Sequence, residues 1–456
     1  MNDETAPAPG EMPSHEQVRK AIKLTYAQMM LAAVFAASTG GMFLIGFAIK
    51  LGANNIVLGL LSTIPACAVV FQFGAAWLVQ RGVSRKKLTV LFGLGAPLCW
   101  LLIAVIPFFH NALGQAGCLI ALIGVVSLAA LAAQCAGNAR GSWVGELIPD
   151  RERGRFFGFC GMFAGIVGST FAIIEGRSLD YLKARGLVAF TGLFFFGVVF
   201  GLVVAILNLP QPDCPLPGGR DQQPYLQVLA SALRNKDLVR LARVHAVLAM
   251  AGIASPFIAT YWLRDLKFGF FPLGILNSLT TGIVLASSPF WGRTVDRWGC
   301  RPVLIIGCMM SAPCALLWLL IPRGVSLAIA CLVLALSAIP AGLGAAAVSI
   351  SISSMLYRVS RPEGRSIQFA AYSSFVTLMG APMPTLGGWL VTWMGKTWTG
   401  ADLRVTFYIG SLFLFAAAAM ARRLHEPTST PVRTLLFDSL PRRISSGCAR
   451  LGRRAV

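Results

Sequence analysis

Arg140 is the residue in this sequence whose type and place most invite chemistry. It stands in an apolar run about nine residues before Pro149, roughly 13 Å along a helix at 1.5 Å per residue. Ionisable groups inside such runs are costly, and those that persist are functional by default. Its helical neighbours Ala133, Ala136, Gly137 and Gly141 are small, which marks a packed or cavity-facing surface. Three roles are open to it. It can grip an anionic group, bias a nearby carboxylate during proton movement, or act structurally by capping carbonyls or pairing with Glu146. None of the eighteen acids falls near the middle of an apolar run, and Glu146 and Glu175 lie near run ends. His245 can titrate, but its place beside Arg243 at the start of a run points to an interfacial, structural role. Weaker candidates are Ser38 and Thr39 beside Gly40 and Gly41, Asn138, Ser255 before Pro256, Asn277, Gln368 and Tyr372. Hydroxyls among them have a bland alternative, because Ser and Thr often bond their own helix backbone.

Other chemistries lack their residues. There is no D-D-x-x-D or H-x-x-x-x-D pattern, and the chain has only four histidines, so general-base or metal-assisted catalysis has little to work with. No G-x-x-x-x-G-K-[ST] loop is present, which argues against ATP drive. The eleven cysteines form no C-x-x-C pair, and most read as small buried hydrophobes. The expectation is therefore no cofactor, no metal and no enzymatic activity.

The elements that must position these residues follow from composition. Of 456 residues 56% are apolar and 12% charged, against roughly 25% charged in a soluble domain. A bilayer-crossing helix needs about 20 apolar residues. Apolar runs fall at 25–49, 55–79, 88–109, 117–147, 156–176 and 187–208, then at 241–263, 270–291, 302–322, 326–356, 367–395 and 405–421. The expected fold class is an all-α membrane protein with 12 transmembrane helices in two six-helix bundles. The net charge of +21 is spread in small groups between the runs, which suits membrane topology better than a nucleic-acid face. Most Lys and Arg fall on the side that carries both termini, and that side is expected to be cytoplasmic. The expected divisions are an N-terminal arm (1–23), a first bundle (24–208), a Pro- and Gly-rich linker (209–239), a second bundle (240–422) and a basic tail (423–456). The arm lacks the pattern of a cleaved signal peptide. The tail reads either as disordered or as lying on anionic headgroups.

The two halves echo each other. GAAWLVQRGVSRKKL (74–88) parallels GRTVDRWGCRPVL (292–304), and IPDRERGRFFGF (148–159) parallels VSRPEGRSIQFA (359–370). Repeated six-helix halves are a transporter signature, with the binding site between halves near the midplane. GRTVDRWGCRP resembles the G-x-x-x-D-R-x-G-x-R loop of the major facilitator superfamily, and GELIPDRERGRFFG is similar to that family's connection between spans 4 and 5. The first copy departs from the pattern, with Gln80 where an aspartate is expected.

The resemblance implies two pseudosymmetric six-helix bundles and secondary, non-ATP transport of a small organic solute by alternating access. An anionic solute would suit Arg140. The implied partners are the lipid bilayer and a small-molecule substrate, with a proton or another ion left open and no nucleic acid. The implied state is a monomer, multi-pass in the plasma (inner) membrane. A transporter-like sensor or lipid scramblase is the alternative, and a membrane-embedded lipid-modifying enzyme is the least favoured.

A cytoplasmic gate is expected from Gly74, Arg81, Arg85, Gly292, Asp296, Arg297, Gly299, Arg301, Glu146 and Arg155. Gly292 would allow close helix approach, and Gly299 a positive φ. Asp296 would accept hydrogen bonds from the N-terminus of the fifth span, near Arg155 to Gly158. Arg297 and Arg301 would pair with acids such as Glu146 or Glu152.

Overall fold

The computed structural model describes residues 15–147, 150–213, 234–317, 321, 324–360, 365–397, 403–424 and 426. The first 14 residues, most of the linker and the tail after 426 lie outside the described residues. Among the described residues every regular element is helical. In lipid this is required, because each backbone N–H and C=O must find a partner within the chain.

In the first half, α1 covers 15–50 as His15–Thr39 and Gly41–Lys50. Next, α2 covers 55–80 with a 3-10 turn at Ala68–Phe71, and α3 covers 85–109. Then come α4 (His110–Leu147), α5 (Asp150–Tyr181) and α6 (Val188–Ile206). In the second half, α7 covers 236–265 in short pieces. It is followed by α8 (Phe270–Trp298), α9 (Cys300–Leu317) and α10 (Leu327–Val359). Finally, α11 covers 365–397 as Arg365–Gly380 and Met383–Thr397, and α12 is Arg404–Ala421.

Among the described residues, eight stretches are helical, long and apolar enough to cross a bilayer, the longest being Arg85–Val144, which holds α3 and most of α4. Asn55–Phe71 and Cys300–Cys314 are shorter apolar helices. The apolar runs found these rods but not all their ends. The fifth run starts at 156, whereas α5 starts at Asp150. The DRERGR stretch is polar yet contains good helix formers, and hydropathy cannot see it. Cys67 is exposed, unlike most of the other cysteines.

Local chemistry sets several turns. Asn54 Oδ1 accepts from the Val57 N–H at 2.9 Å, Ser84 Oγ from Lys87 at 3.2 Å and Asn235 Oδ1 from Leu238 at 3.2 Å. Each satisfies an orphan donor of a first helical turn. Gly114, at φ 64, kinks the start of α4, and Gly299, at φ 94, ends α8. α11 breaks at Ala381–Pro382, where the proline cannot donate to the helix ladder.

Two ends can now be distinguished. The basic end carries Arg81, Arg85, Arg293, Arg297, Arg301 and Arg358, and the far end is opposite. At the far end one core joins both halves: Phe43, Phe47, Leu58, Phe190 and Phe194 cluster with Phe257, Tyr261, Trp262, Leu273 and Phe407. Toward the basic end the cores separate. One holds Leu241, Val295, Val303, Met355 and Ala417 of the second half, and a smaller one holds Val144, Phe156 and Cys160 of the first. The halves therefore converge at the far end and part toward the basic end.

Small residues make that convergence possible. Gly59 of α2 packs on the Pro384 carbonyl of α11, and Gly388 of α11 on the Asn55 carbonyl of α2. A Cβ at either position would run into rigid backbone. Overpacking of this kind costs about 1–3 kcal/mol. Gly388→Ala should therefore shift the population toward an open far end by about tenfold or more. Spin labels at Lys50→Cys and Ser326→Cys, in a chain cleared of its native cysteines, should report a longer distance in that variant. An unchanged distance would show that the approach is not under strain.

Candidate binding cavity and gates

Between the halves lies a cavity of about 640 Å³, a size that suits a small organic molecule. Both facing helices are broken beside it. α1 stops at Thr39 and resumes at Gly41, whose φ is 52. α7 passes through a 3-10 turn at Ala251–Ala254, then Ser255–Pro256, then a π turn at Tyr261–Asp265. Irregular backbone at membrane depth is tolerated where it lines a cavity or is buried in protein, and broken helices in matching places of two halves mark binding sites. The lining is largely apolar, with Phe35, Leu61, Trp100 and Val126 among its residues. Its polar side chains are Thr39, Ser62, Ser255 and Asn277, and none of its described side chains is charged.

Of the expected pathway residues, Thr39, Ser255 and Asn277 thus meet at one cavity. Thr39 Oγ1 donates to the Phe35 carbonyl at 2.6 Å, and Asn277 Nδ2 lies 4.0 Å from Met42 Sδ. Ser38 is buried on the other side of α1, where Gly197 of α6 packs against it. Gln368 and Tyr372 are buried in α11, and the Tyr372 hydroxyl lies 2.7 Å from His245 Nδ1 on α7.

Arg140 lies outside the described lining, which on α4 runs Val126, Ala129, Ala130 and Ala133. The same helical face continues through Gly137 to Arg140, roughly 10 Å further toward the basic end. Arg140 Nη1 donates to Asn208 Oδ1 at 3.1 Å, while Nη2 is buried without a hydrogen-bond partner among the described residues. Asn208 Nδ2 in turn donates to the Val204 carbonyl at 3.0 Å. Gln211 Nε2 donates to Gln28 Oε1 at 2.8 Å, and Gln28 Nε2 to the Val204 carbonyl at 3.1 Å. This polar cluster escaped the sequence reading because Asn208 is the last residue of the sixth apolar run and Gln211 falls in what reads as the start of the linker. Asn138 is half-buried on another face of α4.

The gate residues are dispersed in this conformation. Among the described residues, nothing lies within 4 Å of where a Cβ would stand at Gly74 or Gly292. The close approach expected at Gly292 is therefore not made here, because the halves have parted at this end. Asp296 is exposed, and the α5 N-terminus expected near Arg155 to Gly158 lies instead at Asp150. The amides at 155–158 belong to the interior of a helix and are not free to be capped. Gly299 does adopt the expected positive φ. The Arg297 guanidinium stacks 5.3 Å from the Trp298 ring. Arg81 is exposed, and Arg85 is buried at the start of α3. The side chains of Glu146, Glu152 and Arg155 lie outside the described residues.

The cap at α9 comes from an acid that sequence reading passed over. Glu426 accepts from the Cys300 N–H at 2.9 Å and the Arg301 N–H at 2.8 Å, and pairs with Arg358 Nη1 at 3.0 Å. A single acid just after a span, ahead of a basic tail, was the available signal.

The far end is closed by polar contacts as well as by the shared core. The Asp180 carboxylate, at the end of α5, accepts from the Phe270 and Phe271 N–H groups at 2.8 Å each. It thereby caps α8 across the two halves, where the helix dipole favours an anion. Arg264 Nη1 donates to Asn55 Oδ1 at 2.8 Å, and the Thr63 and Thr385 hydroxyls lie 2.8 Å apart. Ser278 Oγ lies 3.1 Å from the Ser169 carbonyl.

One acid lies deeper. Glu175 is only 4% exposed. Its Oε1 is 2.5 Å from Ser38 Oγ on α1, and Oε2 is buried without a hydrogen-bond partner among the described residues. Counting residues placed Glu175 near a run end. Because α5 continues to Tyr181, it is in fact well inside its helix.

The family model for the Major Facilitator Superfamily matches the chain twice, over residues 26–321 and 244–446. No curated protein matches it by sequence. Among solved structures, it is similar to a mutant of the nucleoside transporter NupG, with TM-score 0.69, 14% identity, and 90% of this chain and 100% of that one covered. It is also similar to a bacterial homologue of the human lysosomal transporter Spinster, in an inward-facing and occupied conformation, with TM-score 0.63, 16% identity, and coverage of 90% and 98%. A third similar structure is a POT family transporter in complex with 5-aminolevulinic acid, with TM-score 0.64, 12% identity, and coverage of 89% and 97%. Two bundles around a shared cavity, helix breaks facing that cavity, and a family match spanning nearly the whole chain converge on one assignment: this protein belongs to the major facilitator superfamily and is a membrane transporter rather than an enzyme.

Proposed function

We propose that the protein is a secondary transporter that carries a small organic solute across the plasma (inner) membrane by alternating access. In this reading the chain crosses the bilayer twelve times, with both termini in the cytoplasm. The observation that carries it is the central cavity, walled off at the far end by a core common to both halves and flanked toward the basic end by two separate cores. Basic loops mark the cytoplasmic side of membrane proteins, so the conformation described faces inward.

The lining favours a solute with an apolar body and one or two hydrogen-bonding groups for Thr39, Ser62, Ser255 and Asn277. A few placed polar groups in an apolar pocket fix orientation. A second reading adds an acidic group to the solute. It rests on Arg140, whose Nη2 is unsatisfied and which continues the cavity-facing stripe of α4. The N-terminal arm (1–23), the linker (209–239) and the tail (423–456) then serve as cytoplasmic appendages to bundles at 24–208 and 240–422.

Uptake into proteoliposomes of a panel of neutral and acidic organic solutes tests both readings. Asn277→Ala should weaken apparent affinity for transported solutes by about tenfold, the worth of one hydrogen bond in a partly dry site. Arg140→Ala should lower uptake of acidic solutes by at least about tenfold and spare neutral ones, with Arg140→Lys intermediate. Unchanged acidic uptake in Arg140→Ala defeats the anion reading, and no movement of any solute defeats transport.

Alternation also predicts the behaviour of the far-end cap. Asp180→Asn keeps shape but offers one acceptor oxygen and one N–H₂ group to two backbone donors. Losing one of the two bonds should cost about 1–3 kcal/mol. The Lys50/Ser326 spin-label distance should lengthen in Asp180→Asn. An identical distance distribution would mean that the cap does not hold the far end shut.

A further inference from the structure

We propose that Glu175 is a proton-binding site whose occupancy holds the far end closed, so that a proton stabilises the conformation described here. The inference deepens the alternating-access reading and rests on it.

The geometry at Ser38 is the first argument. Its hydroxyl carries one proton but lies within reach of two acceptors, the Val34 carbonyl at 2.9 Å and Glu175 Oε1 at 2.5 Å. As two separate two-centre hydrogen bonds the contacts require a proton from the carboxyl: Ser38 then donates to Val34, and Glu175 donates to Ser38. With an ionised carboxylate the single hydroxyl proton is shared between them in a weaker three-centre bond. The second oxygen, Oε2, is buried without a hydrogen-bond partner among the described residues. An ionised carboxylate left so would be an unsolvated charge, which the interior of a membrane protein penalises heavily.

No cation stands ready to offset it. α1 has no titratable residue between Tyr26 and Lys50, α6 has none at all, and α8 has none between Phe270 and Arg293. On its own hairpin the nearest charged groups are Arg177, Asp180, Lys183 and Arg185, all nearer the far end, and the others, at 150–155, stand about 30 Å back along α5 toward the basic end. The Arg177 guanidinium lies over the Phe271 ring at 5.3 Å, and Asp180 caps α8. Lys50, Lys183 and Arg185 are exposed.

The place in the fold supplies the coupling. Ser38 immediately precedes Thr39, which lines the cavity, and the Gly40–Gly41 break of α1. Six residues after Glu175 on the same helix, α5 ends beside the Asp180 cap. Glu175 thus ties the helix that breaks at the cavity to the helix that closes the far end. A crevice of about 220 Å³ between the far ends of α5 and α6 includes Glu175, Ser178 and Leu182 in its lining. A neutral carboxyl fits the closed, dry arrangement. An ionised one gains by letting the far end open and water enter, so acid favours closure and alkali favours opening.

The test needs no solute. Infrared difference spectra of the reconstituted full chain should show a carboxyl band that titrates in wild type and is missing from Glu175→Gln. The Lys50/Ser326 spin-label distance should lengthen from acid to alkaline pH in wild type and stay short at every pH in Glu175→Gln, which mimics the protonated form. Ser38→Ala should keep the titrating band but lose most of the pH-dependent change in distance, since the tie to α1 is gone. A Glu175→Gln chain with the wild-type pH response in distance, or a wild-type chain with none, overturns the proposal. Because both readouts are independent of uptake, a solute panel that fails to move tells against the transport reading alone.

Discussion

In lipid, apolar side chains gain little by touching one another, so the contact between two bundles has to come from close backbone approach and from satisfied polar groups. At the far end this chain supplies both. Gly59 and Gly388 bring α2 and α11 to backbone contact, Gly176 lets the α5 backbone meet Phe270 of α8, and Asp180 caps the helix that begins there. Around these contacts a single core of aromatic and aliphatic side chains crosses from one half to the other. The cavity owes its floor to this joint, and its sidedness follows from the lack of a matching core at the basic end among the described residues.

Toward the basic end the polar contacts run within each half. In the first, Arg140 bonds Asn208, Gln211 bonds Gln28, the Trp143 indole donates to the Pro212 carbonyl at 3.0 Å, and Ser84 bonds Asp213. In the second, Glu426 ties α9 to α10, Asn235 donates to the Val359 carbonyl at 3.0 Å, and His245 meets Tyr372. Each half is stapled to itself by residues that flank the linker and the tail. Two internally stapled bodies joined at one end can rock without either being rebuilt, which is the mechanical requirement of alternating access.

The rods were legible because a run of about 20 apolar residues has few other fates. The turn at Gly299 and the break in α11 were legible because glycine and proline act through local backbone geometry. The far-end cap, the Glu426 cap and the Glu175–Ser38 pair were not. Each joins residues far apart in sequence, and each acid lies where a helix end blends into a loop by composition. Hydropathy marks where a chain becomes polar, not where its helix ends, so α5 was trimmed at both ends and Glu175 read as peripheral. Arg140 shows the reverse. Its intramembrane position was plain from the sequence, but its partner Asn208 sits past the next span but one.

The glycines carry the argument one step further. At the far end, Gly59, Gly176 and Gly388 are pressed against backbone of the opposite half. At the basic end, Gly74, Gly158, Gly161 and Gly292 have nothing among the described residues within contact distance where a side chain would stand. Two states of comparable population need contacts of comparable worth. Opening the far end forfeits close helix approach and the capping of α8, each worth about 1–3 kcal/mol. The compensating approach has to be made at the other end, and small residues with vacant surroundings are what would permit it. In that reading Gly292 and the α5 glycines Gly158 and Gly161 would act as spacers for the other state. Their open surroundings in the conformation described mirror the crowding of the far-end glycines, as a single rocking motion that exchanged the two would require.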